Sequence, residues 1–269
     1  MIERTRIIAE AASNHGGNLK LAKKMIKIAA ESGADYIKFQ SWQAETLREG
    51  EKDPQYKWFK KAELSDEAHY ELIEECRQNG IKFLTTCFNL DRVSFLVKLA
   101  LNEIKVGSPD ASSLRMLAEL KEHFDHIIIS TGMAFEEELH KTAELLGKVN
   151  FTLLHCVSVY PTPHRRVNLQ RMDWLRQFTP SVGYSDHCVG TEAVKLAIAR
   201  GAKYIEKHFS LGEKEGCRAS PWDATPQELE STVRFAEDCR LMLGEESFAP
   251  EEEEREARDR FIGRWGNNR

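Results

Sequence analysis

Cysteine is sparse in this 269-residue chain: six residues, at positions 76, 87, 156, 188, 217 and 239, with no C-x-x-C pair and no dense framework. That pattern excludes a disulfide-stapled scaffold and reads as reduced thiols in a cytoplasmic protein. Long apolar runs are missing too. None approaches the roughly 18 residues needed to span a bilayer, and the N-terminus enters a strand-like run with no n-region or h-region, so neither membrane insertion nor secretion is expected. A basic stripe is also lacking. With a net charge of −5 and a pI near 6.0, electrostatic capture of nucleic acid is not expected. Only 16 glycines and 8 prolines occur, beside 41% hydrophobic and 30% charged residues. Collagen-like and disordered classes are therefore excluded, and an ordinary globular protein remains.

What is present is a regular alternation. Short β-rich runs occur at Arg6–Glu10, Tyr36–Gln40, Ile81–Cys87, Glu103–Ser108, His126–Thr131, Asn150–Cys156, Ser181–His187 and Tyr204–Phe209. Amphipathic segments lie between most of them. Leu19–Glu31 places Leu21, Ala22, Met25, Ile26, Ile28 and Ala29 three and four apart, the spacing of one helical face. Ser65-Asp66-Glu67 opens a helix that Asn79-Gly80 stops, another runs from Thr191 to Arg200 and ends at Gly201, and Thr225-Pro226 starts a long final one. Several strands are nearly continuous apolar runs, as expected when both faces are covered by helices. Eight strands so arranged predict an α/β fold, a (β/α)8 TIM barrel over residues 1–246, followed by a charged tail at 247–269 whose acidic run, Glu251–Glu254, reads as solvated. A doubly wound sheet is the runner-up. It is disfavoured because the first strand–helix turn reads Asn14-His15-Gly16-Gly17, without G-x-G-x-x-G.

A barrel carries its active site at the C-terminal strand ends. Those ends hold Glu10, Lys38, Gln40, Thr85, Thr86, Lys105, Ser108, Ser130, Thr131, His155, Ser185, His187, Glu206 and His208. A barrel mouth needs some polar residues merely to meet water. Lys38 and Lys105, each directly after an apolar residue, are less easily explained, because a buried ammonium is costly without an anion; together they suggest a phosphate or carboxylate ligand. His187 and His208 close neighbouring strands and can either share one divalent metal or simply be hydrogen-bonded histidines. His15 can hydrogen-bond a substrate or shape its Gly-rich turn. His69, His123, His126, His140 and His164 are assigned to helices or surface loops, and Trp42 with Trp58-Phe59 to interface or core packing.

Ten motifs in chain order make the sequence resemble the sialic-acid synthase (NeuB) family. They are I-A-E-x(3)-N-H-x-G at Ile8–Gly17, K-F-Q at Lys38–Gln40, E-L-S-x(3)-H-x-E-L-I at Glu63–Ile73, F-L-T-T-x-F at Phe83–Phe88 and I-K-V-G-S at Ile104–Ser108. S-T-G-M at Ser130–Met133, L-L-H-C at Leu153–Cys156, Y-P-T-P at Tyr160–Pro163, G-Y-S-D-H at Gly183–His187 and E-K-H-F at Glu206–Phe209 follow. The resemblance implies condensation of phosphoenolpyruvate with an aldose to a nonulosonic acid. It assigns His187 and His208 as ligands of a divalent metal, with Mn²⁺ or Mg²⁺ favoured and Zn²⁺ or Co²⁺ alternatives. Lys38, Thr86, Lys105, Ser108, Ser130 and Ser185 match phosphoenolpyruvate-binding positions. Glu10, Gln40 and Tyr160 match positions near the sugar and the reacting carbons, Glu10 being the candidate for proton transfer.

The departures from the family pattern are local. G-S-G-E becomes Gly107-Ser108-Pro109-Asp110, leaving Asp110 to meet the sugar, and Ser158 stands where the family has Asn near phosphoenolpyruvate. The G-P-D-H-x-A-S loop becomes K-E-G-C-R-A-S at Lys214–Ser220. No carboxylate aligns with its sugar-binding Asp, and Arg218 is a candidate for an anionic group on the acceptor. The family's C-terminal antifreeze-like domain is not matched, and Pro250–Arg264 resembles the linker to it. A homodimer and a separate antifreeze-like protein are both open as partners. A non-catalytic sugar- or phosphate-binding barrel is the alternative function, and a metal-dependent hydrolase or aldolase a distant third.

Overall fold

A computed structural model describes residues 3–47, 50–244 and 249–263. Eight parallel strands close into a barrel in sequence order: β1 Arg6–Ala12, β2 Tyr36–Ser41, β3 Lys82–Cys87, β4 Glu103–Val106, β5 His126–Ser130, β6 Asn150–Cys156, β7 Val182–Asp186 and β8 Tyr204–His208. The expected (β/α)8 barrel is the observed one, and the open sheet is excluded because β1 pairs with β8 as well as with β2. Around it lie α1 Leu19–Glu31, α2 Ala44–Leu47, α3 Tyr56–Ala62, α4 Asp66–Gln78, α5 Val93–Lys98, α6 Leu114–Leu120, α7 Glu136–Leu146, α8 Arg171–Leu175, α9 Glu192–Ala199 and α10 Pro226–Leu243.

Helix boundaries follow the local chemistry. Ser65 caps α4 by accepting the Ala68 N–H at 3.2 Å. Thr225 and Glu228 form a reciprocal capping box on α10, with Pro226 in the first turn where its missing N–H costs nothing. The apolar face of α1 (Leu21, Ala22, Met25, Ile26 and Ala29) is buried against the barrel. The acidic run is exposed, as expected, but it is helical rather than a plain tail: α11 spans Glu252–Phe261. Glu252–Glu254 fall in its first turn, where the helix dipole favours negative charge, and Arg260 pairs with Glu256 one turn away. No helix among the described residues is long and apolar enough to cross a membrane.

The two-residue period of the strands layers the barrel interior. Ile8, Tyr36, Leu84, Ile128, Leu154 and Tyr204 form one inner cluster. Two residues further along the same strands come Glu10, Lys38, Thr86, Ser130, Cys156 and Glu206, all bordering a cavity at the C-terminal mouth. At the opposite end Glu103 accepts from Tyr36 Oη at 2.7 Å and pairs with His126 Nδ1 at 2.8 Å, while His126 Nε2 meets Thr152 Oγ1 at 2.8 Å. His126 is thus the first residue of β5 and buried, which corrects its assignment to a helix or surface loop. His69 does lie on a helix, α4, but is buried and packed edge-on against Phe83 and Phe95.

Candidate active site

The mouth cavity has a volume of about 310 Å³ and is bordered by Glu10, Lys38, Gln40, Thr86, Lys105, Ser108, Ser130, Ser158, Tyr160, Ser185, His187, Glu206 and His208. Twelve of the fourteen residues singled out from the sequence as site residues therefore converge, joined by Glu206. Asp110 and Arg218 do not. The Asp110 carboxylate accepts from Ser113 Oγ at 2.8 Å, at the end of a short 3-10 turn that carries Pro109 in its first positions. The Arg218 guanidinium lies over the Trp58 ring, 4.9 Å from its centroid, and is exposed. The other polar strand-end residues point away for ordinary reasons. Thr85 donates to the Phe39 carbonyl, Thr131 to that of Leu154, and His155 Nε2 to that of Val167.

Two ammoniums and two carboxylates share the cavity floor. Lys38 Nζ lies 2.8 Å from Glu10 Oε2 and 3.6 Å from Glu206 Oε2, and donates to Thr86 Oγ1 at 2.6 Å. Lys105 Nζ donates to Ser130 Oγ at 2.6 Å and to the Val106 carbonyl at 2.9 Å, with Glu206 Oε2 at 3.8 Å. The carboxylate neighbour of Lys105 is thus Glu206. Burial raises Glu10 above the ordinary carboxylate range, and the attraction of Lys38 only partly offsets it. Burial also acts on Glu206, but Lys105, Lys38 and the Ser185 hydroxyl, which donates at 3.0 Å, hold it below that range. Glu10 is therefore the carboxyl that carries a proton most readily, and Glu206 the one that stays ionised. The Oε2 atoms of both are buried without a directed hydrogen bond.

The backbone makes room for the hydroxyls. A Cβ on Gly132 would stand 2.4 Å from Ser158 Oγ and 2.8 Å from Ser108 Oγ. The Gly132 N–H instead donates to Ser108 Oγ at 3.1 Å.

His187 and His208 stand on adjacent strand ends with ring centroids 5.5 Å apart. His187 Nδ1 donates to the Val157 carbonyl at 2.9 Å, which fixes the tautomer and leaves the Nε2 lone pair free. Burial, reinforced by neighbouring His187, lowers His208 to about 3. Burial lowers His187 too, but the Cys156 sulfur and the Val157 carbonyl outweigh it and raise it; in their neutral forms the two imidazoles could serve as ligands of one shared cation. Among the described residues no cluster of three or more His, Cys, Asp and Glu side chains closes on one point.

His15 shapes its turn: it is buried, and its Nδ1 accepts the Gly17 N–H at 3.1 Å. Trp42 is core, packed on Phe59 and Phe88.

The segment after β8 brings one carboxylate near His208. Glu213 and Glu215 are exposed and Glu215 pairs with Lys24. Asp223, however, is buried at its side chain, with Oδ1 4.0 Å from His208 Nδ1 and Oδ2 accepting from Asn14 Nδ2 at 3.1 Å. A short bridge returns the loop to the barrel, where the Ala224 N–H donates to the His208 carbonyl at 2.6 Å. Nothing in the sequence around Asp223 signals this return. Glu206, by contrast, was visible two residues before His208 on the same strand face, and Cys156 and Met133, which also border the cavity, fall inside recognisable motifs.

Comparison with known proteins agrees with this geometry. The N,N'-diacetyllegionaminic acid synthase of Campylobacter jejuni is 40% identical over 263 residues, covering 91% of this chain and 79% of that protein. The pseudaminic acid synthase of the same organism is 30% identical over 256 residues, covering 89% and 75%. Among solved structures, the N-acetylneuraminic acid synthetase of Leptospira borgpetersenii, crystallised with citrate, superposes with a TM-score of 0.89 at 32% identity and covers 96% of this chain and 91% of that one. The NeuB family model matches residues 25–248. The barrel, the cavity at its mouth and these similarities together place the chain in the NeuB family.

Proposed function

We propose that the chain joins phosphoenolpyruvate to an aldose of the hexosamine type or a related sugar, giving a sialic-acid-like 2-keto-3-deoxy acid and inorganic phosphate. The observation that carries the reading is the floor of the cavity, where Lys38 and Lys105 are ringed by Thr86, Ser108, Ser130, Ser158 and Ser185 within a NeuB-family barrel. As it stands, the charge on the two lysines is balanced by Glu10 and Glu206. Protonation of Glu10, favoured by its burial, leaves a net positive floor for an incoming carboxylate and phosphate. The lysines and hydroxyls then bind the anion through charge-assisted hydrogen bonds.

Gln40 and Tyr160 border the cavity where the aldose would sit, and the Asp223 carboxyl lies beside it, its Oδ1 4.0 Å from His208 Nδ1. His187 and His208 would hold a divalent cation, with Mn²⁺ or Mg²⁺ best suited to a shell completed by oxygen. When bound, that cation supplies Lewis-acid polarisation of the aldehyde carbonyl. C3 of the enol forms the new bond to the aldehyde carbon, water adds at C2, and phosphate departs as the C2–O bond breaks. Glu10, 2.8 Å from Lys38, holds and returns the proton that these steps move. Six free, buried cysteines support a cytoplasmic setting.

The test is phosphate release from phosphoenolpyruvate across a panel of aldoses with and without Mn²⁺. The panel includes N-acetylmannosamine, its 6-phosphate, and non-acylated and acidic sugars. Release that depends on one aldose and on the cation supports the reading. Phosphoenolpyruvate binding with no aldose-dependent release would favour the non-catalytic barrel.

A further inference from the structure

Behind the two histidines, on the outer face of the same strands, lies an ion pair that the reaction does not touch. Lys207 Nζ meets Asp186 Oδ2 at 2.6 Å, with side-chain exposures of 3% and 0%. The remaining donors of the ammonium go to the Cys188 carbonyl at 2.9 Å and the Trp222 carbonyl at 3.2 Å. Asp186 Oδ1 accepts from Tyr184 Oη at 2.7 Å and from the Cys188 N–H at 3.1 Å. Every group is satisfied, and the pair's partners adjoin His187, His208 and Asp223 in sequence. Asp186 and Cys188 flank His187, Lys207 precedes His208, and Trp222 precedes Asp223.

One ammonium thus ties together the three chain segments that present His187, His208 and Asp223. Tying two barrel strands together needs no charge. A buried ion pair is costly to desolvate, and well-packed apolar residues commonly replace one without loss of stability. What an apolar pair cannot supply is direction, since only the ammonium gathers a carboxylate and two carbonyls from three segments at fixed hydrogen-bond lengths. Packing is not redundant on the other side either. The Tyr160 ring lies 4.0 Å from the His187 ring and 5.5 Å from Trp222 by centroids, so a shift of Trp222 reaches His187 by a second route.

We propose that Asp186 and Lys207 are positioning residues that set the separation of the two imidazoles, and of Asp223 from His208, for cation binding. The proposal rests on the two-histidine reading of the metal site, and the experiment separates the two. In the doubly neutral variant Asp186→Leu/Lys207→Met no buried charge is left unpaired, so the chain should fold with a Tm close to that of the unaltered protein. Titration with Mn²⁺ alone, followed by electron paramagnetic resonance, should show at least 10-fold weaker binding, the usual loss when groups supporting metal ligands are removed. A crystal structure of the variant should show a changed distance between the imidazoles. Wild-type Mn²⁺ affinity in the folded double variant would overturn the proposal. Should the unaltered chain bind no Mn²⁺, the two-histidine reading fails, and the imidazole distance decides the proposal alone: an unchanged distance overturns it. The single variant Lys207→Met, which strands Asp186, should lose both stability and cation binding. Restored Mn²⁺ affinity on adding Asp186→Leu would reduce the pair to a folding role and count against positioning.

Discussion

At the scale of single residues, the mouth divides into groups that hold charge and groups that move it. Replacing Lys38 or Lys105 by Met should weaken phosphoenolpyruvate binding by about 1.5–3 kcal/mol, the worth of a hydrogen bond to a charged group, measurable by calorimetry. Unchanged affinity in both would show that the ammoniums serve only Glu10 and Glu206. Glu10→Gln keeps the shape and removes the proton carrier. It should cost about 10²–10⁴ in kcat with little change in KM for phosphoenolpyruvate.

His15 makes a different kind of prediction, because its role is structural. Burial lowers it to about 4, below an unfolded value of about 6.5. Its contribution to stability is therefore complete above the unfolded value and is lost as pH falls toward 4. At 1.36 kcal/mol per unit, a shift from 6.5 to about 4 is worth roughly 3 kcal/mol at most. Melting curves at pH 7 and pH 5 should show a larger fall in Tm for the unaltered chain than for His15→Asn, which can still accept the Gly17 N–H. Equal falls would mean that His15 is not held neutral.

At the scale of elements, the strands were readable and the loops were not. Alternation within Tyr36–Ser41 or Tyr204–His208 tells which side chains face inward, and the match to known motifs tells which inward residues carry chemistry. That is why Glu10, Lys38, Lys105 and both histidines were found together. The failures fall where position depends on the path of a loop. Asp110 was assigned from the motif match and Arg218 from its place in the altered loop, yet each meets a partner that neither shows: Ser113 in one case and Trp58 in the other. Asp223 comes within 4.0 Å of His208 where Ala224 bridges back to Phe209 at the end of β8. The Gly16-Gly17 turn shows the same limit. Gly17 has φ +80°, and a Cβ there would stand 2.0 Å from the Lys61 carbonyl oxygen, a contact invisible in the sequence. Gly17→Ala should destabilise the chain by more than about 1 kcal/mol in chemical denaturation, beyond the ordinary price of a strained backbone residue. A neutral result would mean that α3 can move aside.

At the scale of the whole molecule, the barrel separates its tasks along its axis. The N-terminal end is closed by Arg6, Tyr36, Glu103, His126 and Tyr204 in a network of mutually satisfied groups. An apolar layer follows, and the charged mouth comes last. The proposed reaction makes a carbon–carbon bond at that mouth, and following the carbon itself tests it most directly. Phosphoenolpyruvate labelled with ¹³C at C3 is incubated with the chain, Mn²⁺ and the best aldose of the panel, and observed by NMR. The vinyl CH₂ signal should be replaced by the methylene of a 2-keto-3-deoxy acid, coupled to the proton on the former aldehyde carbon. Label that remains in phosphoenolpyruvate, or that appears only in the methyl group of pyruvate, would contradict it.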